Sequence, residues 1–220
     1  MSRRRRLIVP VTLGVLVLAA LAFAIFATQD SSNDATTTSG GTSSVQTAPA
    51  GQGGFDGAEI PTAPPAPPIA LHDQYGRPAS LAALRGRPVL VAFLYTRCGS
   101  PCAVIAQQIR GALDELRRPV PVLLVSVDPA GDTPLAVRSF LAEVSLSGRV
   151  YYLTGSRTEL AKVWRAYSVK PPAAGASAFA NKATLVLIDA SGRERVLFGP
   201  EQLTPEGLAH DIEKLEAEQR

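Results

Sequence analysis

From Pro88 to Gln219, continuous apolar runs alternate with amphipathic ones, and this alternation limits the possible folds more than any other feature of the chain. Pro88–Thr96, PVLVAFLYT, is β-rich and apolar throughout, the pattern of a strand buried on both faces. Cys102–Arg118 follows with helical spacing, its apolar side carrying Val104, Ile105, Ile109, Leu113 and Leu116. Val120–Asp128 repeats the buried-strand pattern. Thr133 as N-cap with Pro134 in the first turn opens a second helix. Arg149–Leu153 reads as a short third strand. Ser156–Val169 reads as a helix starting on a serine cap, with Trp164 and Tyr167 as its core anchors. Ala183–Phe198 is two strands about a Ser191–Gly192 turn, and Thr204–Gln219 is a closing helix with Pro205 and Glu206 in its first turn. The resulting order, β-α-β-α-β-α-β-β-α, predicts an α/β fold. Its central mixed sheet is covered by helices, with crossovers joining the parallel strands.

A final hairpin in such a sheet points to a thioredoxin-like domain over residues 69–220, long enough for one ordinary core. Two segments precede it. Residues 1–27 hold four arginines, Arg3–Arg6, and then an uncharged apolar run, Leu7–Ala27, long enough for a transmembrane helix. The arginines should stay cytoplasmic, which places the domain on the extracytoplasmic side of the cell membrane as a single-pass protein. A cleaved signal peptide is the competing reading, but its apolar region is normally about 7–15 residues, so the length favours an uncleaved anchor. Residues 28–68 are rich in Ser, Thr, Gly and finally Pro, a composition that predicts a disordered spacer. Of the 22 basic residues four lie in the first six, leaving 18 against 19 acidic ones. The near-neutral remainder carries no basic run of the kind a nucleic-acid-binding domain needs.

Cys98 and Cys102, in YTRCGSPCAV, are the only two cysteines. They fall at the carboxyl end of the first buried strand, the edge where open α/β sheets place their ligands. Ser100 and Pro101 suit the N-cap and first position of the following helix, which sets Cys102 in its first turn and Cys98 on the loop beside its positive end. That end favours thiolate, the form that attacks disulfides and binds soft metals. Three readings follow for the pair. They are a permanent disulfide on an oxidising face, a dithiol/disulfide redox centre, and a Cu(I) site of two thiolates. The ligand count argues against a structural zinc site, which takes four ligands, since His72 and His210 lie at no useful spacing from the pair.

FLYTRCGSPC resembles the strand and T-x-C-x-x-x-C of the Sco/SenC family, and VSVDPAGDTP resembles its V-S-V-D-P-x-x-D-T-P. The segments TGSRTELAKVWRAYSV and ATLVLIDASGRE are similar to its later helix and strand. Thioredoxins have two residues between their cysteines, and peroxiredoxins need P-x-x-x-T-x-x-C, which is absent. The resemblance implies a membrane-anchored protein of thioredoxin fold that assists assembly of the copper centre of cytochrome c oxidase. Cys98 and Cys102 would serve as its redox pair and as its copper ligands. Its expected partner is an oxidase subunit or another copper or thiol protein, and its activity, if enzymatic, is thiol–disulfide oxidoreduction. The family's third ligand is a histidine before the strand corresponding to ATLVLID, and Asn181 stands in that slot here. An amide is a poor substitute for imidazole on Cu(II), so the resemblance implies Cu(I) in preference to Cu(II). His72 and His210 are expected as surface residues. Asp128 and Asp132, both within the family motif, are expected as turn and cap residues, with a supporting role beside the cysteines as the alternative.

Overall fold

The computed structural model describes residues 54–172 and 184–219. The expected anchor (1–27), most of the expected spacer and Asn181 lie outside the described residues. Among the described residues no helix is long and apolar enough to cross a membrane.

The predicted alternation is present in full. β4 (Val89–Leu94) leads into α1 (Ser100–Leu116), β5 (Val122–Ser126), α2 (Pro134–Glu143), β6 (Tyr151–Leu153) and α3 (Arg157–Ala166). The hairpin β7 (Leu185–Ile188) and β8 (Glu194–Phe198) and the helix α4 (Pro205–Ala217) complete it. Three short strands come before: β1 (Ala58–Glu59), and β2 (Ala70–His72) paired with β3 (Pro78–Ser80). The main sheet runs β1-β8-β7-β4-β5-β6, with β4, β5 and β6 parallel and β7, β8 and β1 alternating antiparallel. Every residue of β4, β5 and β7 is buried, as their apolar sequences, with Ser126 at the end of β5 the one polar residue, require of strands covered on both faces. This is a mixed sheet flanked by helices, thioredoxin-like in arrangement.

Local chemistry sets the boundaries. Thr133, Ser156 and Thr204 cap α2, α3 and α4 by accepting the N–H of Ala136, Glu159 and Gly207, and Glu159 completes a capping box. Asp189 accepts from the N–H groups of Ser191 and Arg193, fixing the expected turn in which Gly192 takes a positive φ of 85°. α1 and α4 pack against each other, and Gly111 permits a close approach: a Cβ there would lie 2.8 Å from the Pro205 ring. Trp164 and Tyr167 are buried as expected, and the Tyr167 ring centroid lies 5.3 Å from that of Phe93 on β4.

Two expectations are corrected. Val104 is 51% exposed; the buried stripe of α1 runs through Cys102, Ile105, Ala106, Ile109, Ala112, Leu113 and Leu116, and position 104 falls outside its 3–4 residue spacing. The boundary expected at Pro68 also moves, because residues 54–68 are a strap bound to the sheet. Ala58 and Glu59 pair with Leu197 and Val196, Glu194 donates its N–H to Pro64 O, and the Tyr167 hydroxyl donates to Pro67 O. The cations of Arg195 and Lys214 lie over the Phe55 ring, 5.6 and 4.6 Å from its centroid. The strap is held by backbone hydrogen bonds and a few contacts, so its Pro-rich composition gives no sign of it.

Candidate functional site

β4 lies inside the sheet between parallel β5 and antiparallel β7, and its last residues deliver Tyr95 into a single 3₁₀ turn, Thr96–Cys98, at the carboxyl edge of the sheet. Gly99 follows with φ 74° and ψ −152°, and α1 starts at Ser100. The cap therefore falls one residue earlier than expected. Gly99 occupies the cap position and Ser100 is already helical, with Pro101 behind it. Only glycine adopts such a φ readily, and it lets the chain reverse from the turn into the helix.

The turn brings Cys98 and Cys102 together in a disulfide, Cα to Cα 5.6 Å. Cys102 has no exposure and Cys98 is 5% exposed, while Gly99, Ser100 and Pro101 around them are open to solvent. Of the four α-helices among the described residues, α2, α3 and α4 begin with a side-chain cap, and α1 begins without one. Its first-turn N–H groups therefore have no side-chain acceptor at the cap, and the positive end of its dipole lies beside Cys102 in that turn.

What holds the turn is the segment after β5. Asp132 is 4% exposed, and each of its oxygens accepts two hydrogen bonds. Oδ1 takes the Thr96 N–H and the Thr96 hydroxyl, both at 2.8 Å. Oδ2 takes the Ser126 hydroxyl at 2.5 Å and the Tyr152 hydroxyl at 2.8 Å. Burial pushes the Asp132 carboxyl up, while the donors from Ser126, Thr96 and Tyr152 pull it back. Burial also pushes the Tyr152 phenol well up, reinforced by the charge of Asp132 beside it. Ser126 is fixed in turn by the Trp164 indole N–H, which donates to its carbonyl at 2.9 Å.

A second tie lies outside. The Arg97 guanidinium, 65% exposed, reaches Asp128 Oδ2 at 2.6 Å through Nη2 and 3.1 Å through Nε. It passes across Gly131, where a Cβ would collide with both Arg97 and Asp128. Asp128 also turns its own loop by accepting the Gly131 N–H at 3.1 Å. The turn role expected for Asp128 is present, together with the tie to Arg97. The cap role expected for Asp132 is not, since Thr133 caps α2. Asp132 instead fastens the cysteine turn, the alternative reading of that residue. Its partners lie 36, 6 and 20 residues away, so only the folded chain assembles them. The Asp128-to-Asp132 spacing was the one signal in the sequence.

The histidines lie elsewhere. His72 is an exposed residue whose backbone pairs with Thr154. His210 is exposed on α4, with Nδ1 2.8 Å from Asp56 Oδ2 and 3.1 Å from Asp211 Oδ1. Asp211 itself is spent on the strap, accepting the N–H groups of Asp56 and Gly57 at 2.8 and 2.9 Å. Among the described residues neither histidine contacts the sulfur pair.

Comparison with known proteins gives this geometry a context. BsSco, a member of the Sco family of cytochrome c oxidase assembly proteins with an identified disulfide switch, superposes with a TM-score of 0.60. It is 22% identical, and the match covers 70% of this chain and 94% of that one. Copper-bound ScoI of Bradyrhizobium japonicum gives 0.53 at 28% identity, covering 68% and 98% of the two chains. Copper-bound yeast Sco1 gives 0.56 at 20% identity, covering 72% and 98%. A protein of Stutzerimonas stutzeri named for copper binding is 28% identical over 110 residues. That match takes in 46% of this chain and 50% of the relative, so the chain spans about half of the relative's length. The sequence profile of the SCO1/SenC family matches residues 58–217, from the start of β1 to the end of α4, and the chain belongs to that family.

Proposed function

We propose that the chain is a membrane-tethered, extracytoplasmic thiol–disulfide protein that acts through Cys98 and Cys102 in assembly of the copper centre of cytochrome c oxidase. The observation that carries this reading is the disulfide itself, which closes a five-residue loop against the uncapped end of α1. In the reducing direction, the Cys98 thiolate attacks a disulfide of the partner, an oxidase subunit or another copper or thiol protein. One partner sulfur leaves as thiolate and a mixed disulfide forms. The Cys102 thiolate then attacks Cys98 Sγ and the second partner sulfur leaves. The partner has gained two electrons, and the pair ends oxidised. Cys98 is the entry sulfur because it retains solvent contact and Cys102 does not.

A second reading has support of its own. The reduced pair offers two thiolates, a donor set suited to Cu(I), and copper-bound Sco structures share this fold. Copper is then cargo passed to the oxidase. Two thiolates with no imidazole beside them among the described residues suit Cu(I) better than Cu(II).

Equilibrating the full chain against thiol buffers and counting alkylated cysteines tests the first reading. A potential above about −300 mV is expected, and a lower one would assign the pair a structural role. Titrating the reduced chain with Cu(I) under a competing chelator tests the second, which expects one ion per chain and its loss in Cys98→Ser.

A further inference from the structure

We propose that Asp132 is a positioning residue that sets how readily the Cys98–Cys102 disulfide is reduced, by fixing the turn that carries Cys98. This rests on the redox reading above, and names what regulates the pair.

A carboxylate buried to 4% exposure is costly to desolvate, and such groups contribute little net stability even when well paired. Asp132 has four donors, and they come from three parts of the fold. Ser126 ends β5, Tyr152 belongs to β6, and Thr96 opens the cysteine turn. The first two lie in the rigid sheet. Thr96 is the one partner in a loop, and it stands two residues before Cys98. Asp132 thus ties the Cys98 turn to the sheet core, and Thr96 gives it both of its donors.

The two cysteines depend on this tie unequally. Cys102 is fully buried in the first turn of α1 and is placed by the helix. Cys98 sits in a 3₁₀ turn whose own backbone bond, from its N–H to Tyr95 O, is long at 3.4 Å. Disulfide stability follows the effective concentration of one thiol at the other, and that concentration is set by how tightly the looser partner is held. Holding Thr96 therefore favours the closed disulfide. The Arg97–Asp128 tie acts on the next residue, but it is exposed and screened, so it should contribute less.

The test measures the reduction potential of the full chain and its variants. Dithiothreitol and glutathione buffers together span a range wide enough to give any pair a value. Asp132→Ala removes all four bonds, and a tenfold fall in effective concentration is expected, which raises the potential by about 30 mV. Asp132→Asn should stay near the parent. Its amide oxygen can still accept from Thr96, and the hydroxyls of Ser126 and Tyr152 can reverse to accept from its NH₂. Thr96→Val, a milder change that keeps the fold if Asp132→Ala does not, should shift the potential in the same direction by a smaller factor.

Asp189→Ala is the control for lost stability alone. It breaks the β7–β8 turn at the opposite edge of the sheet, roughly 20 Å away along β4, and should leave the potential unchanged. An unchanged potential in Thr96→Val and Asp132→Ala overturns the proposal, as does an Asp132→Asn shift as large as that of alanine, which would make the charge the active feature. The parent's absolute potential decides separately whether the pair is redox-active or structural, so the two ideas can fail independently.

Discussion

Reducing the disulfide should cost the fold little, and the structure sets how little. Cys98 and Cys102 are separated by four positions and close a loop of five residues. For a loop of that length the chain-entropy expression gives about 2 kcal/mol, against about 4.7 for a loop of 100 residues. Nothing on the folded side should add much. Thr96 and Arg97, tied to Asp132 and Asp128 in the disulfide form, should keep those ties on reduction, and buried thiols pack as small hydrophobes. By linkage, the folded protein should favour the disulfide over the unfolded chain by roughly 30-fold, or about 45 mV. A pair so weakly coupled to folding can be cycled without endangering the domain. Trp164 is the only tryptophan in the chain, is buried, and donates to Ser126 beside Asp132, so its fluorescence reports on this part of the core. Urea unfolding of the full chain in detergent, with and without dithiothreitol, should give free energies about 2 kcal/mol apart. The double variant Cys98→Ser/Cys102→Ser should match the reduced parent. A difference above about 4 kcal/mol, or loss of the native emission on reduction without urea, would show that the disulfide braces the fold and would refute the exchange reading.

Asn181→His should supply an imidazole where the family carries one, and Cu(II) added to the reduced variant should give a sulfur-to-copper charge-transfer band that the parent lacks; Cu(I) affinity should change much less. Asp211→Ala withdraws the acceptor of two strap N–H groups, so stability should fall by about 1–3 kcal/mol, with amide exchange accelerating first at residues 56–60. Exchange unchanged there would mean that the strap is held by β1 pairing alone. A reporter that fluoresces only in the cytoplasm, fused after Arg220, should stay dark if Arg3–Arg6 orient the anchor as proposed, and a bright fusion would reverse the topology.

The sequence alone determined the order of the elements from β4 to α4, because burial on both faces of a parallel strand demands an unbroken apolar run and the helices between them carry their own caps. It also placed the cysteine pair, since the end of such a strand and the start of the next helix are adjacent in sequence. Thr133, Ser156, Thr204 and the Ser191–Gly192 turn act over three or four residues and were legible for the same reason. Tertiary structure decided the rest. The strap at 54–68 binds through backbone groups that every residue possesses, so a composition suited to a spacer also serves as an edge strand. Val104 belongs to an apolar segment, but the helix's rotation turns it outward. Asp132 looked like a local cap because its neighbours in sequence favour that reading. Its hydrogen-bonding role is set by partners such as Thr96 and Tyr152, which lie 36 and 20 residues away and reach it only when β4, β5 and β6 stand side by side. A buried carboxylate takes its meaning from the donors around it, and only folding brings those donors together.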